Sequence, residues 1–298
     1  MNTSACASSP ALQWPNQERV AVSFVVNVEE GSERSIVRGD KGMGAVDEFG
    51  MFVKDAIRNH ANESNYQFGI RVGAPRVLRL LQAHGVKATW TACGQALEQA
   101  PELARAITAG GHEAASHGWR WQFQYRMDEA AERAFIRQAA ESIEATTGQR
   151  SLGWLSRYLP SDNTRRLLAE AGFLYHMDDF SDERPFWDAP AGLPIVVLPY
   201  QLDTNDMKMW SAPGYTASDW LDYCVDSFDL LHAEGGSEGV APGLLSIGLH
   251  LRIIGRPGRA HALERLLQYV TSKPDVWIAT RAQIARHFVA SCPYGAAA

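Results

Sequence analysis

Residues 111–121 read GHEAASHGWRW, a short run of small residues that leads into a histidine and then into an aromatic, polar turn. The segment Glu113 to Ser116 is predicted as a β-strand that ends at His117. A side chain at such a strand end lies at the mouth of an α/β fold, where active sites collect. A single histidine beside tryptophan also fits a packed core residue, so other strand ends must decide between the two interpretations.

Two further segments show the same pattern of a buried strand followed by polar residues. Val20 to Asn27 (VAVSFVVN) is almost continuously apolar and rich in β-branched residues, which predicts a buried strand. The adjacent carboxylates Glu29 and Glu30 follow it, and because paired charges are costly to desolvate, we expect them at its carboxyl end. Leu244 to His250 (LLSIGLH) is a second buried strand that ends in a polar residue.

Strands and helices alternate along most of the chain, which indicates a parallel sheet, open or closed as a barrel. Further strands are predicted at 87–92, 153–156, 173–177, 195–198 and 276–279. Helices are predicted at 72–84, 101–109, 128–147, 163–171 with Asn163 as N-cap, 220–233, 260–272 and 281–288 with Thr280 as cap. The polar residues at the strand ends, which predict an active site at one face of the sheet, are Glu29, Glu30, His117, Ser156, Arg157, Asp178, Asp179 and His250.

Composition limits the class of protein. The chain has 298 residues, 46% of them hydrophobic, and a net charge of -6, which argues against a nucleic-acid-binding protein. It has no apolar run of the roughly 20 residues that cross a bilayer, and residues 1–16 lack the order of a signal peptide. Its four cysteines show no Cys-x-x-Cys spacing, which favours reduced thiols. We expect a soluble, cytoplasmic protein that binds neither nucleic acid nor a membrane.

The domain organisation is predicted as a single catalytic domain with a short arm. Residues 1–19 are interpreted as an N-terminal arm that lies over the surface or a partner subunit, and residues 20–298 as the domain. Ser32 to Ser64 shows no clear period and is long for a connection. Such a segment is expected to be functional or to form contacts in an oligomer.

Several of these strand ends resemble the polysaccharide deacetylase superfamily. The residues that carry the resemblance are Val28-Glu29-Glu30-Gly31 at the family's paired aspartates, Ser116 to Trp121 at its two-histidine motif, Arg157-Tyr158-Leu159-Pro160 at its Arg-x-Pro region and Leu249-His250 at its late histidine. The resemblance implies a deformed (β/α) barrel with fewer than eight strands and a site at the carboxyl ends of the strands.

A narrower resemblance is to the cofactor-independent allantoinases, to which cyclic imide hydrolases are similar. It is carried by Asn27 to Gly31, His112 to Trp121, Leu202 to Met207, Ser246 to His250, Arg252 to Arg259 and Ile284 to His287. Both kinds of enzyme open a ring by hydrolysing an endocyclic amide C–N bond. Related enzymes form tetramers, so the resemblance also implies a homo-oligomer.

The metal site typical of the superfamily takes one carboxylate and two histidines four residues apart. Here Glu30 and His117 match, but the second histidine position is Trp121, which has no lone pair to offer. Catalytic zinc usually has three protein ligands, so a zinc site would need His112 or Asp206 in addition. We therefore predict a site without a metal or other cofactor, with zinc held by Glu30 and His117 as the alternative.

Amide hydrolysis without a metal needs an activated water, stabilisation of the carbonyl oxygen and a proton for the leaving nitrogen. Either Glu29 or Glu30 is expected to be the base, because adjacent like charges raise one pKa, and an ion pair between one of them and an arginine is the alternative. His250 is expected to protonate the leaving nitrogen or orient the water, and His117 to complete the polar face. The substrate-binding residues are predicted to be Phe68, Arg71, Trp121, Trp154, Leu155, Arg157, Asn205 and Asp206.

Two segments depart from the allantoinase pattern in a way that bears on substrate. Leu155, Phe68 and Ile70 stand where that family has hydrogen-bonding groups or glycine. Since unpaired polar groups on a buried ligand are costly, we predict a cyclic imide of succinimide or glutarimide type ahead of allantoin. Two different functions stay open at this point: a metal-dependent N-deacetylase of sugar polymers, and a non-catalytic binding protein on a decayed enzyme fold.

Overall fold

The strand β1, Val20–Val28, lies in the middle of the sheet, and all nine of its residues are buried. The computed structural model describes residues 12–42, 56–212 and 214–295. In this part of the chain the other strands are β2 Thr89–Ala92, β3 Glu113–Ser116, β4 Gly153–Trp154, β5 Tyr175–His176, β6 Phe186–Asp188, β7 Ile195–Val197, β8 Gly243–His250 and β9 Val276–Ile278.

These strands form one curled sheet in the order β6-β7-β5-β4-β3-β2-β1-β8, with β9 paired to β1 below β2. All pairs are parallel except β6 with β7. The expected fold class, a deformed (β/α) barrel, is confirmed. The described residues contain nine strands rather than fewer than eight. This number includes β4 and β5, which are only two residues long, and the antiparallel β6, which extends the edge.

The register of β1 decides which side chains meet at the carboxyl edge. Asn27 pairs with His250 of β8 on one side and with Thr91 of β2 on the other. Glu29, two residues beyond Asn27, therefore leaves the sheet beside the end of β8. This is the edge at which the strand-end residues were predicted to gather.

The segment after β7 connects that side of the sheet to β8. The Gln201 side chain accepts from the Ser246 N–H at 2.6 Å and donates to the Leu244 carbonyl at 3.3 Å. Further along, the Asp206 N–H donates to the Gly248 carbonyl at 2.9 Å. The segment therefore runs along β8 and brings Asp206 close to His250.

Helices cover the outside of the sheet. They are α1 His60–Phe68, α2 Ala74–Ala83, α3 Gly94–Gln99, α4 Pro101–Ala109, α5 Glu129–Thr147, α6 Thr164–Glu170, α7 Lys208–Ser211, α8 Ala217–Glu234, α9 Leu251–Ile254, α10 Pro257–Thr271 and α11 Arg281–Ser291. None of these described helices has both the length and the apolar character needed to cross a bilayer. Thr280 caps α11 as predicted, through a capping box with Gln283.

Asn163 does not cap α6, so that prediction was wrong. Its side chain makes no cap bond and instead accepts from Arg166 at 3.1 Å. The residue has helical φ and ψ angles, whereas a capping side chain requires an extended backbone.

The segment that showed no period contains a helix that the sequence did not predict. Asn59 caps α1 by accepting from the Asn62 N–H at 3.0 Å. The buried residues of α1 are Asn62, Asn65 and Tyr66, so its inner face is polar and gives no apolar period. A π-helical turn at residues 69–73 then joins α1 to α2. Residues 43–55 of the predicted excursion lie outside the described residues.

The described part of the predicted arm packs against the barrel. Leu12 and Trp14 are buried in a cluster with residues of β8 and α11, and the Trp14 indole N–H donates to the Gly243 carbonyl at 3.0 Å. The Gln13 carbonyl lies 2.6 Å from His287 Nε2. Residues 12–19 thus belong to the amino-terminal end of the barrel, and residues 1–11 lie outside the described residues.

Candidate active site

Glu29 lies at the centre of a group of charged side chains at the carboxyl edge. Its Oε1 atom is 3.3 Å from Nε2 of His117 and 3.5 Å from Nε2 of His250. Its Oε2 atom is 2.8 Å from Nη1 of Arg252. Burial alone raises the pKa of the Glu29 carboxyl, but the positive charges of Arg252 and His250 outweigh it and hold the pKa well below its usual range. Glu29 is therefore a carboxylate that links two imidazoles.

His250 ends β8 and is held by Asp206. Its Nδ1 atom lies 2.7 Å from Oδ1 of Asp206, and its backbone N–H donates to Oδ2 of the same carboxylate at 2.7 Å. Burial lowers the pKa of His250, but Asp206 and Glu29 outweigh it and raise the pKa to about 10. At neutral pH His250 is an imidazolium whose Nε2–H points at Glu29.

His117 follows β3 and is oriented by a backbone carbonyl. Its Nδ1 atom lies 2.6 Å from the carbonyl oxygen of Leu155. Because a carbonyl only accepts, Nδ1 carries a hydrogen, and Nε2 is the atom that faces Glu29. The Leu155 side chain itself packs in the apolar core. The contribution of Leu155 to the site is its carbonyl group, and a substrate contact of its side chain stays a prediction.

Glu30 is buried beside Glu29 but is bonded to the backbone. Oε2 accepts from the Glu29 N–H at 3.1 Å, and Oε1 accepts from the Arg252 N–H at 3.1 Å. Gly69 of the π-helical turn lies against this carboxyl, so closely that a Cβ there would overlap it. Burial, opposed by Arg252 and reinforced by Glu29, raises the pKa of Glu30 to about 7.

Arg252 was missed as a site residue from the sequence. It is buried in α9, and its Nη1 atom also lies 3.5 Å from Glu30 Oε1, so one guanidinium faces both carboxylates. Its Cζ atom lies 4.5 Å from the ring centre of Tyr66. The available signal was its position two residues after His250, within a motif whose function had not been assigned. The alternative of an ion pair between the carboxylates and an arginine is thereby confirmed.

Trp121 and Arg157 lie beside Arg252. The Trp121 ring centre is 3.8 Å from Cζ of Arg157 and 5.7 Å from Cζ of Arg252, and Arg157 donates to the Trp121 carbonyl at 2.9 Å. Both side chains are partly buried. They form a flat, cationic wall next to Glu29, and their contact with a substrate stays a prediction.

Three other predicted contacts lie elsewhere or have different partners. Trp154 is fully buried between Phe135 and Phe173, at ring distances of 6.1 and 5.5 Å, so its predicted substrate contact was wrong. The Phe68 ring stacks on the Arg256 guanidinium at 3.7 Å. Asn205 donates to the Tyr200 hydroxyl at 3.1 Å and accepts from the Met207 N–H at 2.9 Å. Its amide therefore holds the turn that carries Asp206.

A cavity of about 370 Å³ lies next to Glu30. Arg71 and Ile70 line it together with Tyr66, and Phe68 does not. Arg71 is therefore near the predicted site, whereas the apolar ring of Phe68 is not a wall of this cavity.

The donor set does not fit a metal ion. Among the described residues no three His, Cys, Asp or Glu side chains form a group that could hold one. His112 precedes β3 at the opposite end of the barrel, where its Nδ1 accepts from the Ala88 N–H at 3.1 Å, so it cannot join His117. Asp206 is bonded to His250, and the Arg252 guanidinium supplies a cation to Glu29 and Glu30.

A curled, mostly parallel sheet with carboxylates and histidines at its carboxyl edge is typical of a barrel protein whose active site lies at that edge. The chain belongs to the polysaccharide deacetylase family, whose sequence model matches residues 65–176. A protein of Schizosaccharomyces pombe assigned to the polysaccharide deacetylases is 38% identical over 304 residues, 95% of this chain and 94% of that protein.

Two solved structures are similar over nearly the whole chain. The Puue allantoinase structure is 43% identical, with a TM-score of 0.88, and the match covers 94% of each chain. A structure described as a polysaccharide deacetylase from Pseudomonas aeruginosa PAO1 is 42% identical, also with a TM-score of 0.88 and 94% coverage of each chain. The family and fold implied by the strand-end motifs are confirmed.

Proposed function

We propose that the protein hydrolyses an endocyclic amide C–N bond of a small ring and so opens it. The observation that carries the proposal is the row formed by His117, the Glu29 carboxylate and the His250 imidazolium, with nitrogen-to-oxygen distances of 3.3 and 3.5 Å. This row places a proton acceptor and a proton donor on the same edge of the sheet, as amide hydrolysis requires. Similarity to the Puue allantoinase supports the choice of a cyclic amide over an acetylated sugar.

In this mechanism the attacking water forms hydrogen bonds to both Glu29 Oε1 and His117 Nε2, which lie 3.3 Å apart. Its oxygen forms the new bond to the carbonyl carbon while its proton passes to Nε2 of His117, and the adjacent Glu29 carboxylate stabilises the imidazolium that forms. Glu29 is preferred over Glu30 because both oxygens of Glu30 accept backbone N–H groups. Of the two carboxylates between which the sequence left the choice open, Glu29 is thus proposed to act, together with His117.

His250 supplies positive charge and a proton on the other side. Its pKa of about 10 keeps it protonated at neutral pH, so it stabilises the negative charge that develops on the carbonyl oxygen. As the C–N bond breaks, the leaving nitrogen takes the Nε2 proton of His250. Asp206 keeps the imidazolium oriented through the step. The products are a carboxylate and an amide or ureide nitrogen on one open chain.

The predicted preference for a cyclic imide over allantoin has less support than the reaction itself. It was based on Leu155, Phe68 and Ile70, and of these only Ile70 lines the cavity beside Glu30. The proposal therefore keeps both ring classes, with the imide favoured by Ile70 and allantoin favoured by the 43% identity to an allantoinase. A homo-oligomer and a cytoplasmic location remain predictions.

A substrate panel tests the proposal. Succinimide, glutarimide, hydantoin and allantoin are incubated with the purified protein, and with Glu29→Gln and His250→Ala variants whose folding is checked by circular dichroism. We expect at least one ring to be opened at a rate that both variants reduce by a factor of about 10² or more. Deacetylation of N-acetylglucosamine oligomers with no ring opened would overturn the proposal in favour of a deacetylase, and binding of a ring without turnover in favour of a binding protein.

A further inference from the structure

One peptide group connects His117 to a carboxylate that the proposed mechanism does not use. The carbonyl of the peptide between Leu155 and Ser156 accepts from Nδ1 of His117 at 2.6 Å. The N–H of the same peptide donates to Oδ1 of Asp178 at 2.7 Å. The described residues contain no cis peptide bond, so the two hydrogen bonds leave this group on opposite sides.

We propose that Asp178 is a positioning residue that fixes the orientation and tautomer of His117 through the Leu155–Ser156 peptide. Each histidine of the site then has its own aspartate. Asp206 bonds His250 directly, whereas Asp178 reaches His117 across one peptide group. The effect on turnover rests on the proposed function, but the effect on the imidazole does not.

The physical link is the resonance of the peptide bond. A carboxylate at the N–H end draws the hydrogen toward itself and increases the negative charge on the carbonyl oxygen at the other end. Polarisation along such a chain strengthens each hydrogen bond by about 10–30%. The Leu155 carbonyl is therefore a stronger acceptor than an isolated one, and it favours the tautomer with hydrogen on Nδ1. In that tautomer the Nε2 atom, which faces Glu29, has a free lone pair.

Asp178 is itself held in place, as a positioning residue must be. Its Oδ2 atom accepts from the Ser156 hydroxyl at 2.7 Å. The oxygen of that hydroxyl accepts from the indole N–H of Trp154 at 3.0 Å, and Trp154 is fixed between two aromatic rings. Trp154, which was expected to bind substrate, is thus the anchor of this chain of hydrogen bonds.

The sequence around Asp178 offers a matched control. Asp179 is the adjacent carboxylate, but its Oδ2 atom lies 2.5 Å from Nη2 of Arg165, and its other oxygen accepts from Ser181. Asp179→Asn therefore makes a similar chemical change next to Asp178 without touching the Leu155–Ser156 peptide.

The test uses ¹⁵N NMR of the full chain labelled in its histidine rings, with the His117 signals identified by their loss in His117→Gln. In the wild-type protein and in Asp179→Asn we expect His117 to carry hydrogen on Nδ1. In Asp178→Ala we expect a mixture of tautomers, and a kcat lowered roughly ten- to a hundredfold with KM nearly unchanged. Asp178→Asn keeps an acceptor for the peptide N–H and should recover part of both effects.

Unchanged His117 ring signals in folded Asp178→Ala would overturn the proposal, even if turnover fell. Should that variant not fold, Asp178→Asn carries the test, because loss of the charge alone must shift the Nδ1 signal, and an unshifted signal contradicts the proposal. Since the ring signals are read without substrate, they test Asp178 even if none of the four rings is hydrolysed. Failure of the proposed function and failure of this inference are therefore separate results.

Discussion

His250 binds both oxygens of Asp206, one through its ring and one through its backbone. The Nδ1 atom lies 2.7 Å from Oδ1, and the backbone N–H donates to Oδ2 at 2.7 Å. Two bonds from one residue fix both the place and the rotation of the imidazole relative to the carboxylate. Asp206 is fully buried, so this pair operates where solvent screens it little.

The alkaline limit of activity should depend on this pair. Because Asp206 helps to raise the pKa of His250 to about 10, the imidazolium is present below that pH and is lost as the pH rises through it. In Asp206→Asn we expect kcat/KM to fall roughly 10- to 100-fold at pH 7.5 and the alkaline limb to move toward neutral pH. The measurement is kcat/KM between pH 6 and 10. Asp203→Asn, at an exposed carboxylate in the same loop, is the control, and an unshifted limb in Asp206→Asn would contradict the role of the pair.

Glu29 and Glu30 should differ in their effect on turnover. Glu29→Gln removes the charge between the two histidines, and we expect kcat to fall by about 10² to 10⁴. Glu30→Gln alters a carboxyl whose two oxygens accept backbone N–H groups, so we expect less than a roughly tenfold effect on kcat. Steady-state kinetics on the best substrate of the panel compares them. Equal losses in two folded variants would contradict the choice of Glu29 over Glu30.

The sequence predicted the strand ends better than it predicted the directions of side chains. Continuous apolar runs identified β1 and β8, and polar residues after them identified Glu29, His117 and His250. A resemblance to a family cannot say which way a side chain points, because residues on either side of a strand share one motif. The Trp154 side chain packs in the apolar core, and Leu155 bonds to His117 through its carbonyl group.

Contacts between distant segments were the other part that the sequence did not reveal. Arg252 lies between the two carboxylates because α9 packs against the π-helical turn at residues 69–73, where a Cβ on Gly73 would overlap the Leu251 carbonyl. Neither segment has an apolar period that predicts this packing. The absence of a second histidine at Trp121 pointed to a site without a metal, but not to the cation that faces the carboxylates.

The stability of the protein should depend on pH through Glu30. Its folded pKa of about 7 lies above the unfolded value near 4.5, so the folded state gains stability below the unfolded pKa and loses it as the pH rises through 7. The shift corresponds to at most about 3 kcal/mol of unfolding free energy for this buried group. We expect Glu30→Gln to flatten the pH dependence between pH 5 and 8. Urea unfolding at both values measures it, and an equally steep dependence in the variant would refute the assignment.

Metal removal should leave ring opening unchanged. Arg252 gives the carboxylates a cation, and the described histidines and carboxylates do not form a set of metal ligands. We therefore expect dialysis against a chelator to change kcat by less than about a factor of two, and added zinc not to increase it. Metal content is measured on the same samples by mass spectrometry. Activity that disappears with bound metal and returns with zinc would show that a metal takes part after all.

Gly248 should not tolerate a side chain, because the side chains of Tyr200 and Asn205 pack against it. A Cβ there would overlap the Tyr200 hydroxyl and lie 2.7 Å from Nδ2 of Asn205, which precedes Asp206. We expect Gly248→Ala to cost about 1–3 kcal/mol of unfolding free energy. It should also lower kcat, since the Asp206 turn must shift.

Gly258→Ala, in α10 where a Cβ meets nothing within 4 Å, is the matched control and should be neutral or slightly stabilising. Adding Tyr200→Phe to Gly248→Ala removes the overlapping hydroxyl, but also the acceptor of the Asn205 amide, so it should recover only part of the stability. Thermal unfolding and kcat are measured on all three proteins. If Gly248→Ala is as stable and active as Gly258→Ala, the prediction is wrong. The packing of the Asp206 turn against β8 would then not be what holds His250 in place.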